Sequence, residues 1–220
     1  MKTCCVIPAF NEEKKIKKVI QEVLPKVDEV IVVDDCSSDK TAEEAKKEGA
    51  LVLKHLINRG QGAALQTGNE FALKSKADII VHFDADGQFL AEEIKDVITP
   101  LLNKEVDIVF GSRFLEKKSQ IPKIKKYIIF PIAQLVNKLF LGINLSDPQS
   151  GFRAMTRQSA KMIKIEQDRM AHCSEIMQKS FKNNLKIKEV PITVLYEDFG
   201  QKFGGGIKII KELILGKLLN

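Results

Sequence analysis

Ile79-Ile80-Val81-His82-Phe83-Asp84-Ala85-Asp86-Gly87-Gln88 is the stretch on which the fold turns. Its first half is short, mostly apolar and rich in β-branched residues, the pattern of a buried parallel strand. Its second half puts two carboxylates, Asp84 and Asp86, at the end of that strand. Open α/β sheets bind their ligands at the carboxyl ends of strands. Two carboxylates this close repel each other unless a cation or hydrogen bonds compensate. A divalent metal beside a diphosphate is one such compensation. An Asx-rich turn is the other reading of the same residues.

Outward from this stretch, strands and helices alternate. Residues 3–8, 30–33, 51–53 and 106–110 read as further strands. Residues 12–24 carry Ile16, Val19, Ile20 and Val23 at helical spacing. Ser38 and Asp39 read as the cap of a helix running through Glu48, with acidic residues near its start. Residues 62–74 and 92–102 read as helices. Such alternation implies a largely parallel sheet with helices on both faces.

The second half is less regular. Residues 121–141 are mostly apolar with a basic start, Lys123, Lys125 and Lys126. Residues 147–153 are polar and turn-like. Helices are expected near 159–165 and 171–183, and a strand over 186–190, stopped by Pro191. Gly204-Gly205-Gly206 reads as a hinge, and 207–219, with Lys208, Lys211 and Lys217, as an amphipathic basic helix. The expected organisation is one domain over 1–200, followed by the hinge and helix of 201–220.

The chain has 220 residues, 44% hydrophobic and 29% charged, which suits one sizeable core and a charged surface. No apolar run reaches transmembrane length, and the apolar stretch ending at Pro8 is too short for a secretory signal. A cytoplasmic location is therefore expected. Cys4, Cys5, Cys36 and Cys173 match no zinc or redox spacing, so reduced thiols are expected. The net charge is +6, with lysines crowded in 14–18, 117–126 and 202–217. That suits an anionic membrane surface, a phosphorylated substrate, nucleic acid, or simply a solvated face. With no Trp and two Tyr, stacking platforms are scarce, and nucleic acid is not an expected partner.

Polar signals follow successive strands: Pro8-Ala9-Phe10-Asn11-Glu12, Asp34-Asp35-Cys36-Ser37-Ser38-Asp39, Asn58-Arg59-Gly60-Gln61-Gly62, 84–88 and Gly111-Ser112-Arg113. Strand ends of a parallel sheet share one edge, so these five segments converge. This ordered set, with Ser150-Gly151-Phe152-Arg153, resembles the family 2 glycosyltransferases of GT-A fold. The specific likeness is to the dolichol- and polyprenyl-phosphate sugar transferases and to bacterial cell-envelope relatives. It extends from about Cys4 to Pro191.

The resemblance implies roles. Pro8, Asn11, Glu12 and Gly62 would shape the nucleotide-sugar pocket, and Asp35 would accept a hydrogen bond from the base. Asp84 and Asp86 would hold the donor, a UDP- or GDP-sugar. Asp86 and Gln88 would ligate Mg2+ or Mn2+, hard cations that prefer oxygen ligands. Arg113, Ser150 and Arg153 would hold the acceptor phosphate, since an arginine fork suits phosphate. Pairing with a carboxylate such as Asp147 is the other reading of the arginines.

A polyprenyl phosphate is already anionic and needs no strong base, whereas a sugar hydroxyl does. Glu175 is the candidate base in the second case, or else a structural contact. His55, His82 and His172 read as core or helix residues. The implied enzyme is a metal-dependent, inverting glycosyltransferase acting on a polyprenyl phosphate. The alternatives are a same-fold transferase acting on a sugar hydroxyl in cell-wall polysaccharide assembly, and a non-catalytic nucleotide-sugar-binding subunit. A dinucleotide dehydrogenase is disfavoured, because Gly60-Gln61-Gly62 lacks the full glycine fingerprint.

Three departures from the family pattern stand out. Phe89 replaces the histidine common after the metal motif. Gln61 stands where many relatives have lysine. The late loop 198–206 offers only Lys202. A lipid acceptor would bring 121–141 and 207–219 to the inner face of a membrane, unless both are core helices.

Overall fold

The computed structural model describes residues 1–115, 145–147 and 149–195. The expectations for 121–141, 198–206 and 201–220 therefore lie outside the described residues.

Seven strands form one sheet: β1 (Thr3–Ala9), β2 (Glu29–Asp34), β3 (Leu51–Lys54), β4 (Ile79–His82), β5 (Ile108–Ser112), β6 (Arg153–Thr156) and β7 (Ile187–Pro191). Their order is β3-β2-β1-β4-β6-β5-β7. β6 runs antiparallel to both β4 and β5, and every other pairing is parallel. The chain is thus an α/β protein with a mixed, mostly parallel sheet. The turn expected over 147–153 gives way at Arg153 to a strand that the sequence pattern does not announce.

The helices are α1 (Ile16–Val23), α2 (Thr41–Lys47), α3 (Gln61–Lys74), α4 (Ile94–Leu102), α5 (Arg157–Met162) and α6 (His172–Lys182). α1 begins later than the apolar spacing implies. The Glu12 carbonyl takes the amides of Lys15 and Ile16, at 3.0 and 2.9 Å, so residues 12–15 form a turn instead. Ser38 and Asp39 do not cap α2 in the expected way. The helix starts at Thr41, and Asp39 Oδ1 accepts from its amide at 3.0 Å.

Alternate strand residues feed two cores, as the pleat requires. Ile7, Val32, Val81, Val109 and Phe152 pack with Ile16, Ile20, Val97 and Leu101 of α1 and α4. Val6, Ile31, Ile80, Phe110 and Met155 pack with Ala64, Leu65, Ile176 and Met177 of α3 and α6. Pro8 is tolerated inside the sheet because β4 pairs β1 only as far as Val6.

One aromatic cluster fixes the stretch quoted first. Phe83 lies edge-on to Phe89 and Phe152, with ring centroids 5.6 and 5.1 Å away, and Phe89 lies 5.3 Å from Phe152. Each such pair contributes about 0.5–1.5 kcal/mol beyond its buried area. Phe83 and Phe89 flank 84–88 on either side, so both ends of that loop are anchored in the core. Phe89 is the residue by which the chain departs from the family, and its position here is a packing one.

Candidate active site

The loops after β1, β2, β3, β4 and β5 gather at the carboxyl edge of the parallel strands, and β6 starts at the same edge. The first two are stitched together. Asn11 donates its amide to Ser37 Oγ at 2.9 Å and accepts the Ser38 amide on Oδ1 at 2.9 Å. The Glu12 amide reaches Thr41 Oγ1 at 2.8 Å. Asn11 has φ 57°, a left-handed conformation that asparagine tolerates better than most residues.

Asp84 and Asp86 sit at the centre. Burial, and then the Asp86 charge, push the Asp84 carboxyl up to about 7. Burial also raises Asp86, against the Gln88 amide at 3.0 Å and the field of Lys15. Glu12 is raised by burial and then by Asp86, so three acidic side chains share one region of negative potential. Gln61 Nε2 donates to Asp84 Oδ1 at 2.9 Å. Gln61, which stands where many relatives have lysine, is here the neutral partner of Asp84. Gly151 packs on the same carboxylate: a Cβ there would lie 2.5 Å from Asp84 Oδ2.

Among the described residues no three His, Cys, Asp or Glu side chains converge to hold a metal by themselves. Mg2+ takes one or two carboxylates and completes its shell with phosphate oxygens and water, so a Mg2+ site needs no third acidic side chain. The negative potential shared by Glu12, Asp84 and Asp86 fits such an ion.

Several expected site residues are engaged elsewhere. The Asp35 carboxylate is taken by the amides of Arg59 and Gly60, at 2.9 and 2.6 Å, and by His55 Nδ1 at 2.7 Å. It organises the loop after β3. Gly62, expected at the nucleotide-sugar pocket, lies against the segment 167–168. A Cβ there would lie 2.0 Å from the Gln167 carbonyl oxygen, and Asp168 O accepts the Ala63 amide at 3.1 Å. The segment 167–169 therefore covers the start of α3.

Arg113, expected at the acceptor phosphate, forks onto the buried Asp147. Nε lies 2.6 Å from Oδ2 and Nη2 3.3 Å from Oδ1, with the backbone amide 3.2 Å from Oδ2. This is the bidentate pairing that guanidinium and carboxylate favour.

Glu175, the candidate base, is likewise occupied. Its oxygens accept the Glu166 amide at 3.0 and 3.1 Å and the Gln167 amide at 2.9 Å, with Lys179 Nζ 2.8 Å away. It anchors the segment that covers Gly62. Glu175→Gln would turn an amide group toward backbone donors. The expected result is a melting temperature lower by several degrees, from a loss of about 1–3 kcal/mol. Turnover should fall by less than about tenfold, where removing a general base costs about 100-fold to 10,000-fold. Thermal melts and steady-state rates measured on one preparation check both halves.

Ser150 and Arg153 are buried, at 2% and 0% exposure. Ser150 Oγ and Arg153 Nη1 have no hydrogen-bond partner among the described residues. They are the members of the expected acceptor set that keep an unused polar atom. His172 and Cys173, beside Arg153, escaped the sequence reading as site residues. Their adjacency in sequence carries no signal until β6 places Arg153 against α6.

A mixed seven-stranded sheet flanked by helices, with a carboxylate pair on the loop after β4 at the carboxyl edge of its parallel strands, is the architecture of the GT-A glycosyltransferases. The glycosyl transferase family 2 model matches residues 4–163, and the chain belongs to that family and is a glycosyltransferase. It is 34% identical to the UDP-N-acetylglucosamine–dolichyl-phosphate N-acetylglucosaminyltransferase of Methanococcus voltae, over 97% of this chain and 95% of that one. It is 28% identical to the undecaprenyl-phosphate mannosyltransferase of Micrococcus luteus, over 94% and 89%. Glucosyl-3-phosphoglycerate synthase of Mycobacterium tuberculosis, solved with Mn2+, UDP-glucose and phosphoglyceric acid, shares the fold. Its TM-score is 0.75 at 22% identity, over 97% of this chain and 79% of that one.

Proposed function

We propose that this enzyme transfers a sugar from a nucleoside diphosphate sugar to a polyprenyl phosphate, with inversion at the anomeric carbon and with Mg2+ or Mn2+ bound at Asp86 and Gln88. One observation carries the choice of acceptor: Glu175, the candidate base, is fully engaged in holding 166–167. An acceptor that arrives anionic needs no base. The names of the two relatives, which act on dolichyl and undecaprenyl phosphates, support the same reading.

The residues divide the work. Asp84, steadied by Gln61, would orient the donor sugar. Asp86 and Gln88 would hold the ion against the diphosphate. When bound, the ion supplies positive charge to the diphosphate as it leaves. Ser150 Oγ and Arg153 Nη1 would meet the acceptor phosphate, which gives their unused polar atoms a partner. Asn11 and Glu12 would line the nucleotide side. No helix among the described residues is long and apolar enough to cross a membrane.

A sugar-hydroxyl acceptor is the second reading, and one group favours it. Asp84, pushed up to about 7, has the proton affinity of a general base. Purified enzyme with Mn2+ and a panel of UDP- and GDP-sugars, offered undecaprenyl phosphate or a glycan, separates the two. Nucleoside diphosphate release with a glycosylated lipid phosphate is the expected result. Glycosylation of the glycan alone overturns the lipid reading.

A further inference from the structure

Beside Asp84 lies a buried polar cluster in which the reaction proposed above uses Arg153 but gives His172 and Cys173 no part. It consists of Arg153 at the start of β6 and His172 and Cys173 at the start of α6, each 3% exposed or less. Arg153 Nη2 donates to the Ser150 carbonyl at 2.7 Å and to Cys173 Sγ at 3.2 Å, and Nε donates to the Gly151 carbonyl at 3.3 Å. None of its hydrogen-bond partners among the described residues is a carboxylate. Arginine does not lose its proton in a protein, and a buried cation without a counter-ion is costly. Of the groups bonded to this guanidinium, only the Cys173 thiol can become an anion.

The proton has a place to go. Cys173 Sγ faces His172 Nε2 at 3.4 Å, and His172 Nδ1 lies 2.8 Å from the Arg169 carbonyl oxygen. A carbonyl only accepts, so Nδ1 carries a hydrogen and Nε2 presents its lone pair to the thiol. Breaking S–H and forming N–H at Nε2 gives a thiolate and an imidazolium, with no atom gained or lost. The thiolate then accepts from Arg153 on one side and from His172 on the other.

We propose that Cys173 is a positioning residue: its thiolate is the buried counter-ion that fixes Arg153 and leaves Nη1 directed to the acceptor phosphate. This rests on the acceptor reading given above. The charges around the group agree with it. Burial by itself would push the Cys173 thiol up, but His172 and Arg153 bring it down to about 6. Burial also works against a charged His172, and Cys173 restores it, so its net shift is upward. Asp84 feels Cys173, Arg153 and His172 together. His82, opposite Arg153 in the β4–β6 register, is driven far down by burial and then by the Arg153 and His172 charges, so it stays neutral. Without the thiolate, Asp84 is the remaining anion that could draw Arg153 away.

Two measurements test this. The first follows the ultraviolet absorbance of thiolate against pH in a Cys36→Ser background. Cys4 is pushed up to about 12 and Cys5 is raised by burial, so neither interferes near neutrality. The expected signal is present at neutral pH, disappears on acidification through about 6, and is missing once Cys173→Ser is added. A signal that rises only above about 8, where an ordinary thiol ionises, overturns the proposal.

The second compares Cys173→Ser with Cys173→Asp. The near-isosteric serine removes the charge and should lower kcat/KM for the lipid phosphate by about tenfold or more, as breaking a buried charge pair does, with KM for the donor little changed. Aspartate restores an anion and should recover most of that loss. A packing role predicts the reverse order, serine tolerated and aspartate not, and that result overturns the proposal. If the wild type turns over only with a glycan, the acceptor reading fails, and the absorbance titration alone decides whether the thiolate exists.

Discussion

Asp86→Ala is expected to slow nucleoside diphosphate release by about a thousandfold without lowering the melting temperature. The two halves have one cause. Asp86 shares its surroundings with Asp84 and Glu12, both raised in part by its charge. Its side chain accepts one local hydrogen bond, from the Gln88 amide at 3.0 Å. Removing the carboxylate relieves repulsion and breaks little, so the fold should be as stable or slightly more so. The activity loss comes from the ion that the carboxylate would hold against the diphosphate. Charge stabilisation of that kind contributes several kcal/mol to the transition state, and about 4 kcal/mol corresponds to a thousandfold in rate. Rates measured over a Mn2+ titration, with thermal melts alongside, decide it. A variant that turns over like the wild type removes Asp86 from the chemistry. One that unfolds shows that the carboxylate is structural.

The central feature of the fold was legible because it is local. Residues 79–83 read as a buried strand from five consecutive side chains, and β4 runs over Ile79–His82. β6 was not legible, because its strand character is not local. Arg153-Ala154-Met155-Thr156 is short, opens on a charge and follows a polar turn. It becomes a strand by pairing with β4 on one side and β5 on the other. Strand propensity reflects such neighbours more than the residues themselves. β6 also makes the sheet mixed, since it inserts antiparallel between two strands that run the same way.

The site divides along the same line. Which residue types stand at the strand ends could be read directly, and Asp84 and Asp86 lie together as expected. What each polar group bonds to could not be read. Glu175 is claimed by the amides of 166 and 167, and Asp35 by those of 59 and 60. A backbone amide looks the same at every position in a sequence, so a carboxylate committed to amides cannot be told from one left for a ligand. Arg113 and Asp147 stand 34 residues apart in the sequence, and their pairing is visible only in the fold. Phe89 shows the converse. It stands where the family commonly has a histidine after the metal motif, yet its ring belongs to the core cluster with Phe83 and Phe152.

Gly62→Ala is the substitution expected to cost the most stability among those near the site, although it adds a single methyl group. Gly62 lies in the first turn of α3, where alanine is ordinarily the better helix former. Helix propensity alone therefore predicts a gain of up to about 1 kcal/mol. The position of 167–169 reverses the sign. The new Cβ would sit 2.0 Å from the Gln167 carbonyl oxygen, 2.9 Å from His172 Cβ and 3.1 Å from the Asp168 carbonyl carbon. Two of these atoms are backbone and cannot rotate away, so the covering segment must lift. Lifting it strains the bonds that hold it: Ala63 amide to Asp168 O at 3.1 Å, and the Glu166 and Gln167 amides to Glu175. Overpacking of this kind costs about 1–3 kcal/mol, and more where backbone has to move. At about 2–4 °C per kcal/mol for a chain of this size, the melting temperature should fall by roughly 2–12 °C. His172 moves with the segment, so turnover should fall too, even at temperatures where the variant is folded. If the variant melts at or above the wild-type temperature, the segment does not rest on Gly62, and the role given to Glu175 as its anchor goes with it.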